Sequence, residues 1–316
     1  MNRGVKIILN ILIFTLIIGF GYYMVHSIIP NEETTQSGQQ GADPLYKKTN
    51  SIDAASPIVC FDIYDNTIYA ALSGKISVFG ITGSHLYDFV IEVDVRDIIV
   101  EDESIWLLYP TRIDVYALGG HKKGGWEACS NIADYCAFAT TGEYVFVTDA
   151  ENKEMVQYDK QGRLVRFIKS PQGFIIPSYS FGIVNINDTI YCSNSGRHQI
   201  ESYTLDGVFV ASFGVTGTQA GAFAGCCNPV YLTKSANGNI LTSEKGNPRI
   251  SCYGRNGKFR TILFDTHALG GVTDAYKVRA LSDNIYIANK KTISVYTFDS
   301  NLLEKSCTGC QEKCSL

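Results

Sequence analysis

Six times between residues 57 and 305 the sequence returns to one apolar pattern. A strand-like apolar anchor stands at Ile68, Ile105, Val145, Ile190, Ile240 and Ile285. Each is followed by an aliphatic residue (Met once) and, three further on, an aromatic: Ile76-Phe79, Ile113-Tyr116, Met155-Tyr158, Ile200-Tyr203, Ile250-Tyr253 and Ile293-Tyr296. The offset between the two anchors is 8, 8, 10, 10, 10 and 8 residues. Side chains alternate faces along a strand, so a change of two keeps both anchors facing alike and a change of one would flip them.

Successive repeats lie 37, 40, 45, 50 and 45 residues apart, which fits one four-stranded blade per repeat. Turn residues fall where the strands must reverse. Asp65-Asn66, Asn187-Asp188, Asn237-Gly238 and Asp283-Asn284 precede second strands, and Gly83, Gly162, Gly207 and Gly257 follow third strands. No sustained 3.6-residue periodicity appears after residue 30. The reading is an all-β, six-bladed β-propeller over 57–305, with no room for a second domain. The 45% hydrophobic and 18% charged content fits an ordered globular chain. A net charge of −4 gives no reason to expect a nucleic-acid partner.

Residues 213–260 carry a more specific pattern. Phe213-Gly214, Gly221-Ala222-Phe223, Asn228-Pro229, Gly238-Asn239-Ile240, Arg249-Ile250 and Gly257-Lys258-Phe259 follow one another in order. This blade resembles an NHL repeat, and residues 178–215 share part of the pattern through Ser195-Gly196-Arg197 and Asp206-Gly207. The resemblance implies an NHL-like propeller and no particular activity. The chain departs from the pattern at Gly225-Cys226-Cys227, extra residues ahead of the Pro.

The N-terminal 30 residues read as a membrane anchor. Arg3 and Lys6 precede an apolar run over residues 7–29, long enough to cross a bilayer, and Glu32 and Glu33 follow. The exit, Val25-His26-Ser27-Ile28-Ile29-Pro30, is a poor cleavage site, so an uncleaved signal anchor is preferred to a signal peptide. This expectation places the chain in the cytoplasmic membrane, single-pass, with the propeller on the extracytoplasmic (periplasmic) side. Residues 31–56 read as a polar tether, although the stretch near Leu45-Tyr46-Lys47 could supply a strand.

In a propeller the second-to-third hairpins and the connections between blades share one face. That face is expected to gather Asn228, Glu244, Lys245, Asn247 and Arg249 with Arg197 and His198, as contacts for a protein partner or a small ligand. Arg112, Cys129, Asp149, Lys153, Asn194, Lys290 and Lys291 fall at the same end. The acids Asp62, Asp134, Asp149, Glu244 and Asp274 lie near inner strands or loops without an assignable role.

Ten cysteines are present. Cys60, Cys136, Cys192 and Cys252 fall within strands and read as small buried apolar residues. The tail, residues 306–316, holds Cys307, Cys310 and Cys314 at Cys-x2-Cys-x3-Cys spacing, which supplies three sulfurs. Cys226 or Cys227 would complete a zinc or iron–sulfur site; disulfides or plain thiols are the favoured alternative. No cofactor is otherwise indicated. No Gly-x-Ser-x-Gly, P-loop, His-Glu-x-x-His or Cys-x-x-Cys-His motif occurs. The sequence therefore reads as an extracytoplasmic binding or scaffolding module. The alternatives are an accessory of a membrane redox system acting through Cys226-Cys227 and the tail, and a propeller hydrolase or lyase with an axial metal.

Overall fold

The computed structural model describes residues 45–271 and 274–299. They form six four-stranded antiparallel sheets. After an initial strand β1 (Tyr46–Asp53), blade 1 comprises β2 (Ile58–Tyr64), β3 (Thr67–Leu72), β4 (Lys75–Gly80) and β5 (His85–Val90). Blade 2 comprises β6 (Asp97–Glu101), β7 (Ser104–Tyr109), β8 (Arg112–Ala117) and β9 (Lys122–Glu127). Blade 3 comprises β10 (Tyr135–Thr140), β11 (Tyr144–Asp149), β12 (Glu154–Asp159) and β13 (Leu164–Ile168). Blade 4 comprises β14 (Ile183–Ile186), β15 (Thr189–Asn194), β16 (Gln199–Thr204) and β17 (Phe209–Phe213). Blade 5 comprises β18 (Tyr231–Lys234), β19 (Ile240–Ser243), β20 (Ile250–Tyr253) and β21 (Phe259–Phe264). Blade 6 takes β22 (Lys277–Leu281), β23 (Asn284–Asn289) and β24 (Thr292–Phe298) and completes itself with β1.

The repeat anchors turn out to be cross-strand neighbours. Ile68 pairs with Phe79, Ile105 with Tyr116, Val145 with Tyr158, Ile190 with Tyr203, Ile240 with Tyr253 and Ile285 with Tyr296. The two offsets record hairpin length. Offset 8 closes through two residues, as at Pro110-Thr111 between β7 and β8. Offset 10 closes through four, as at Ala150–Lys153 between β11 and β12. Each aromatic anchor also marks a bulge. The outer strand skips one residue beside Phe79, Tyr116, Tyr158, Tyr203, Tyr253 and Tyr296. A bulge at a constant place bends every outer strand in the same way.

The core lies between blades rather than within one. One apolar cluster joins Tyr69, Ala71, Ile76 and Val78 of blade 1 to Ile98, Ile105 and Leu107 of blade 2. The alternate residues of the same strand, Ile68, Ala70 and Leu72, join Ile52, Tyr286 and Ile293 on the other side. The same pattern holds at the remaining four blade interfaces. Each middle strand is thus buried on both faces, and each sheet depends on its neighbours. In the NHL-like blade the ring of Tyr253 is met by Phe213, Phe223 and Phe259, with centroids 5.5–5.6 Å away. Gly257, at φ +79°, sits against Phe213, where a Cβ would come within 2.4 Å of that ring.

The tether reading over 31–56 needs correction at its C-terminal end. Tyr46–Asp53 is the outer strand of blade 6, antiparallel to β24, with Ile52 paired to Ile293 and buried. It carries the same bulge, so it fills a position that every other blade fills with its own fourth strand. Among the described residues no helix is long and apolar enough to cross a membrane. Residues 7–29, read as the anchor, and the tail cysteines Cys307, Cys310 and Cys314 lie outside the described residues.

Candidate functional site

The loop face centres on an open cavity of about 560 Å³ at the mouth of the propeller axis. Every blade contributes to its wall near the start of its first strand: Ile58, Arg96, Cys136, Ser178, Tyr231 and Lys277. Lys245 and Lys290 line it from the hairpins of blades 5 and 6, and Asp274 lies on its edge. Arg96 is paired with Asp134 at 3.0 Å, and Lys277 with Asp97 at 3.1 Å. Lys245 and Lys290 make no ion pair with a carboxylate among the described residues. The cavity is therefore lined by two ammonium groups without a carboxylate partner.

Below the mouth the axis is filled by its own charges. Arg279 donates to Asp62 at 2.9 Å and to the Ile98 carbonyl at 3.2 Å, and Asp62 accepts the Val100 N–H at 2.8 Å. The Lys277 ammonium lies 4.2 Å from the centre of the Tyr231 ring. Burial works against the charge on Lys277 and Arg279, but Asp97 and Asp62 beside them hold both cations above their ordinary range. A void of about 20 Å³ remains, roughly one water in size. A divalent cation would have to displace two built-in cations to reach Asp62 and Asp97. Lys277 and Arg279 are one strand period apart on β22, so their shared face was readable from alternation alone.

Most of the residues expected to meet a ligand hold the loops together instead. Arg249 donates to both oxygens of Glu244, at 2.7 and 2.9 Å, and both residues are buried. The same guanidinium donates to the carbonyls of Thr218, Gln219 and Ala222, fastening the long connection from blade 4 to blade 5. Burial pushes the Glu244 carboxyl up against the pull of Arg249. Asn228 is 1% exposed; its amide donates to the carbonyls of Ala224 and Lys245 and accepts the Lys245 N–H. Arg197 donates to the carbonyls of Gly173 and Gln172. His198 meets the Gly225 carbonyl at 2.6 Å and the Thr216 hydroxyl at 3.1 Å. Asn247 is exposed and accepts the Thr266 hydroxyl at 2.9 Å. Of the seven, Lys245 alone lines the axial cavity. Asp149 likewise staples its own hairpin, accepting the N–H groups of Asp134, Glu151 and Asn152.

All seven described cysteines are free thiols. Cys60, Cys192 and Cys252 are buried in strands as expected, whereas Cys136 is only partly buried because it lines the axial cavity; burial pushes Cys60 and Cys252 up to about 12. The Sγ atoms of Cys226 and Cys227 lie 3.2 Å apart beside the mouth. Among the described residues no three His, Cys, Asp or Glu side chains gather closely enough to hold a metal ion.

These features define a six-bladed β-propeller with a cationic axial mouth. No protein-family model matches the chain, and no curated protein matches it by sequence. Solved structures do resemble it. Virginiamycin B lyase from Staphylococcus aureus superposes with a TM-score of 0.54 at 13% identity, covering 80% of this chain and 99% of the lyase. A streptogramin B lyase gives 0.57 at 14% identity, covering 80% and 98%. The WD40 domain of Neurospora crassa Pan2 gives 0.55 at 10% identity, covering 82% and 98%. Such low identities establish the propeller fold and leave activity open.

Proposed function

We propose that this chain is a membrane-anchored, extracytoplasmic binding module, an NHL-like propeller that takes a protein segment or small ligand at its axial mouth. The observation that carries the reading is the cavity at the mouth. All six blades build it, and Lys245 and Lys290 line it without carboxylate partners. Rigid blades supply the frame, and the loops supply the contacts. The anchor over residues 7–29 tethers the module to the membrane. The axial hydrolase or lyase reading has less support, because Asp62 and Asp97 are already committed to Arg279 and Lys277.

Site-specific photocrosslinking on the full chain in its native membrane tests this. A photoreactive side chain replaces Tyr179 at the mouth or, as a control, Tyr87 on an outer strand; both positions are exposed. The expected result is one adduct of defined mass from the mouth position, lost when Lys245→Glu and Lys290→Glu are combined. Equal adducts from both positions, no adduct at the mouth, or an adduct indifferent to charge reversal would overturn the proposal.

A further inference from the structure

Cys226 and Cys227 form the most chemically loaded cluster outside the axis. Cys226 is exposed and Cys227 is buried beside it, with the sulfurs 3.2 Å apart. Burial alone would raise the Cys227 thiol, but the neighbouring Cys226 thiol, the Lys245 ammonium and Ser178 outweigh it and hold the thiol below its ordinary range. The shared proton has the opposite effect on Cys226, which is raised by its bond to Cys227. The backbone around the pair is fixed on both sides. The Gly225 carbonyl accepts from His198, and the Asn228 amide is held by Ala224 and Lys245.

We infer that Cys226 and Cys227 are a redox pair that oxidises reversibly to a disulfide between adjacent residues by exchange with a low-molecular-weight disulfide. Cys226, the reachable sulfur, passes its proton to Cys227 and attacks one sulfur of the incoming disulfide. The first external thiol leaves with that proton. Cys227, again a thiolate beside Lys245, then attacks Cys226 Sγ and expels the second external thiol as a thiolate. The pair loses two electrons and one proton, and the external disulfide becomes a thiol and a thiolate. Oxidation also removes a negative sulfur from beside Lys245, so the mouth becomes more cationic. The chemistry stands whether or not the mouth binds a ligand.

The full chain carrying Cys307→Ser, Cys310→Ser and Cys314→Ser is equilibrated with glutathione buffers over a range of potentials. Free thiols are then blocked and peptides weighed. The expected result is a peptide in which Cys226 and Cys227 escape blocking together and which is lighter by two hydrogens. Cys227→Ser should accumulate a glutathione adduct on Cys226, and Cys226→Ser should accumulate none. Lys245→Met should slow closure, because the Cys227 thiolate loses its ammonium neighbour. Independent blocking of the two cysteines at every potential would overturn the inference, as would a parent protein whose glutathione adduct never resolves. The parent alone decides the matter if Cys227→Ser disturbs folding.

Discussion

Glu244 and Arg249 hold each other, and Arg249 also holds three backbone carbonyls. Removing one partner leaves a buried charge without compensation, which typically costs about 3–5 kcal/mol. Glu244→Ala should lower the urea midpoint by a corresponding amount with an unchanged slope. A loss below about 1 kcal/mol, the range of solvated surface pairs, would show that water reaches the pair. The buried thiols act through pH. Cys60 and Cys252 are pushed by burial from 9.0 to about 12. A raised value means that the folded protein keeps protons the unfolded chain releases. Their contribution is therefore complete below about pH 9 and falls as pH rises towards about 12. Urea midpoints measured from pH 7 to 11 should hold level and then decline, and Cys60→Ala should make the decline shallower. An unchanged slope in that variant would remove Cys60 from the account.

At the scale of elements, two-residue changes in a hairpin preserve the blade and one-residue changes in a strand destroy it. Inserting two residues between Pro110 and Thr111 converts a two-residue turn into the four-residue kind already used between β11 and β12. It should cost less than about 1 kcal/mol, since doubling a loop adds little closure entropy. Deleting Tyr69 from β3 should abolish cooperative melting, because Ala70, Ala71 and Leu72 would exchange faces and leave both neighbouring clusters mismatched. Circular dichroism melts of the two variants separate these outcomes. This parity is also why the inner strands were legible. Ile68 and Phe79 are direct partners within one hairpin, and such pairs leave a local signal. The outer strands left little. In β5 His85–Tyr87 are exposed, so no apolar alternation is required of them. The site was less legible still. Glu244 and Arg249 lie in a loop and read as solvent-facing, and only the arrival of residues 218–222 buries them.

For the whole molecule the decisive pairing is the least local one. Five blades are drawn from continuous stretches of chain, and the sixth borrows β1 across an interval of about 240 residues. Contacts so distant in sequence are slow to form, because the intervening chain must be ordered first. During synthesis Tyr46–Asp53 emerges long before β24 exists, and Ile52 can meet only the blade 1 half of its apolar cluster until blade 6 has been made. A strand that must wait is open to wrong partners, and its polar residues Lys47, Lys48, Asn50 and Asp53 discourage pairing with a second chain. Closure is thus also a proofreading event. A truncated or stalled chain cannot shut its ring, and its unsealed blade edges distinguish it from a finished molecule.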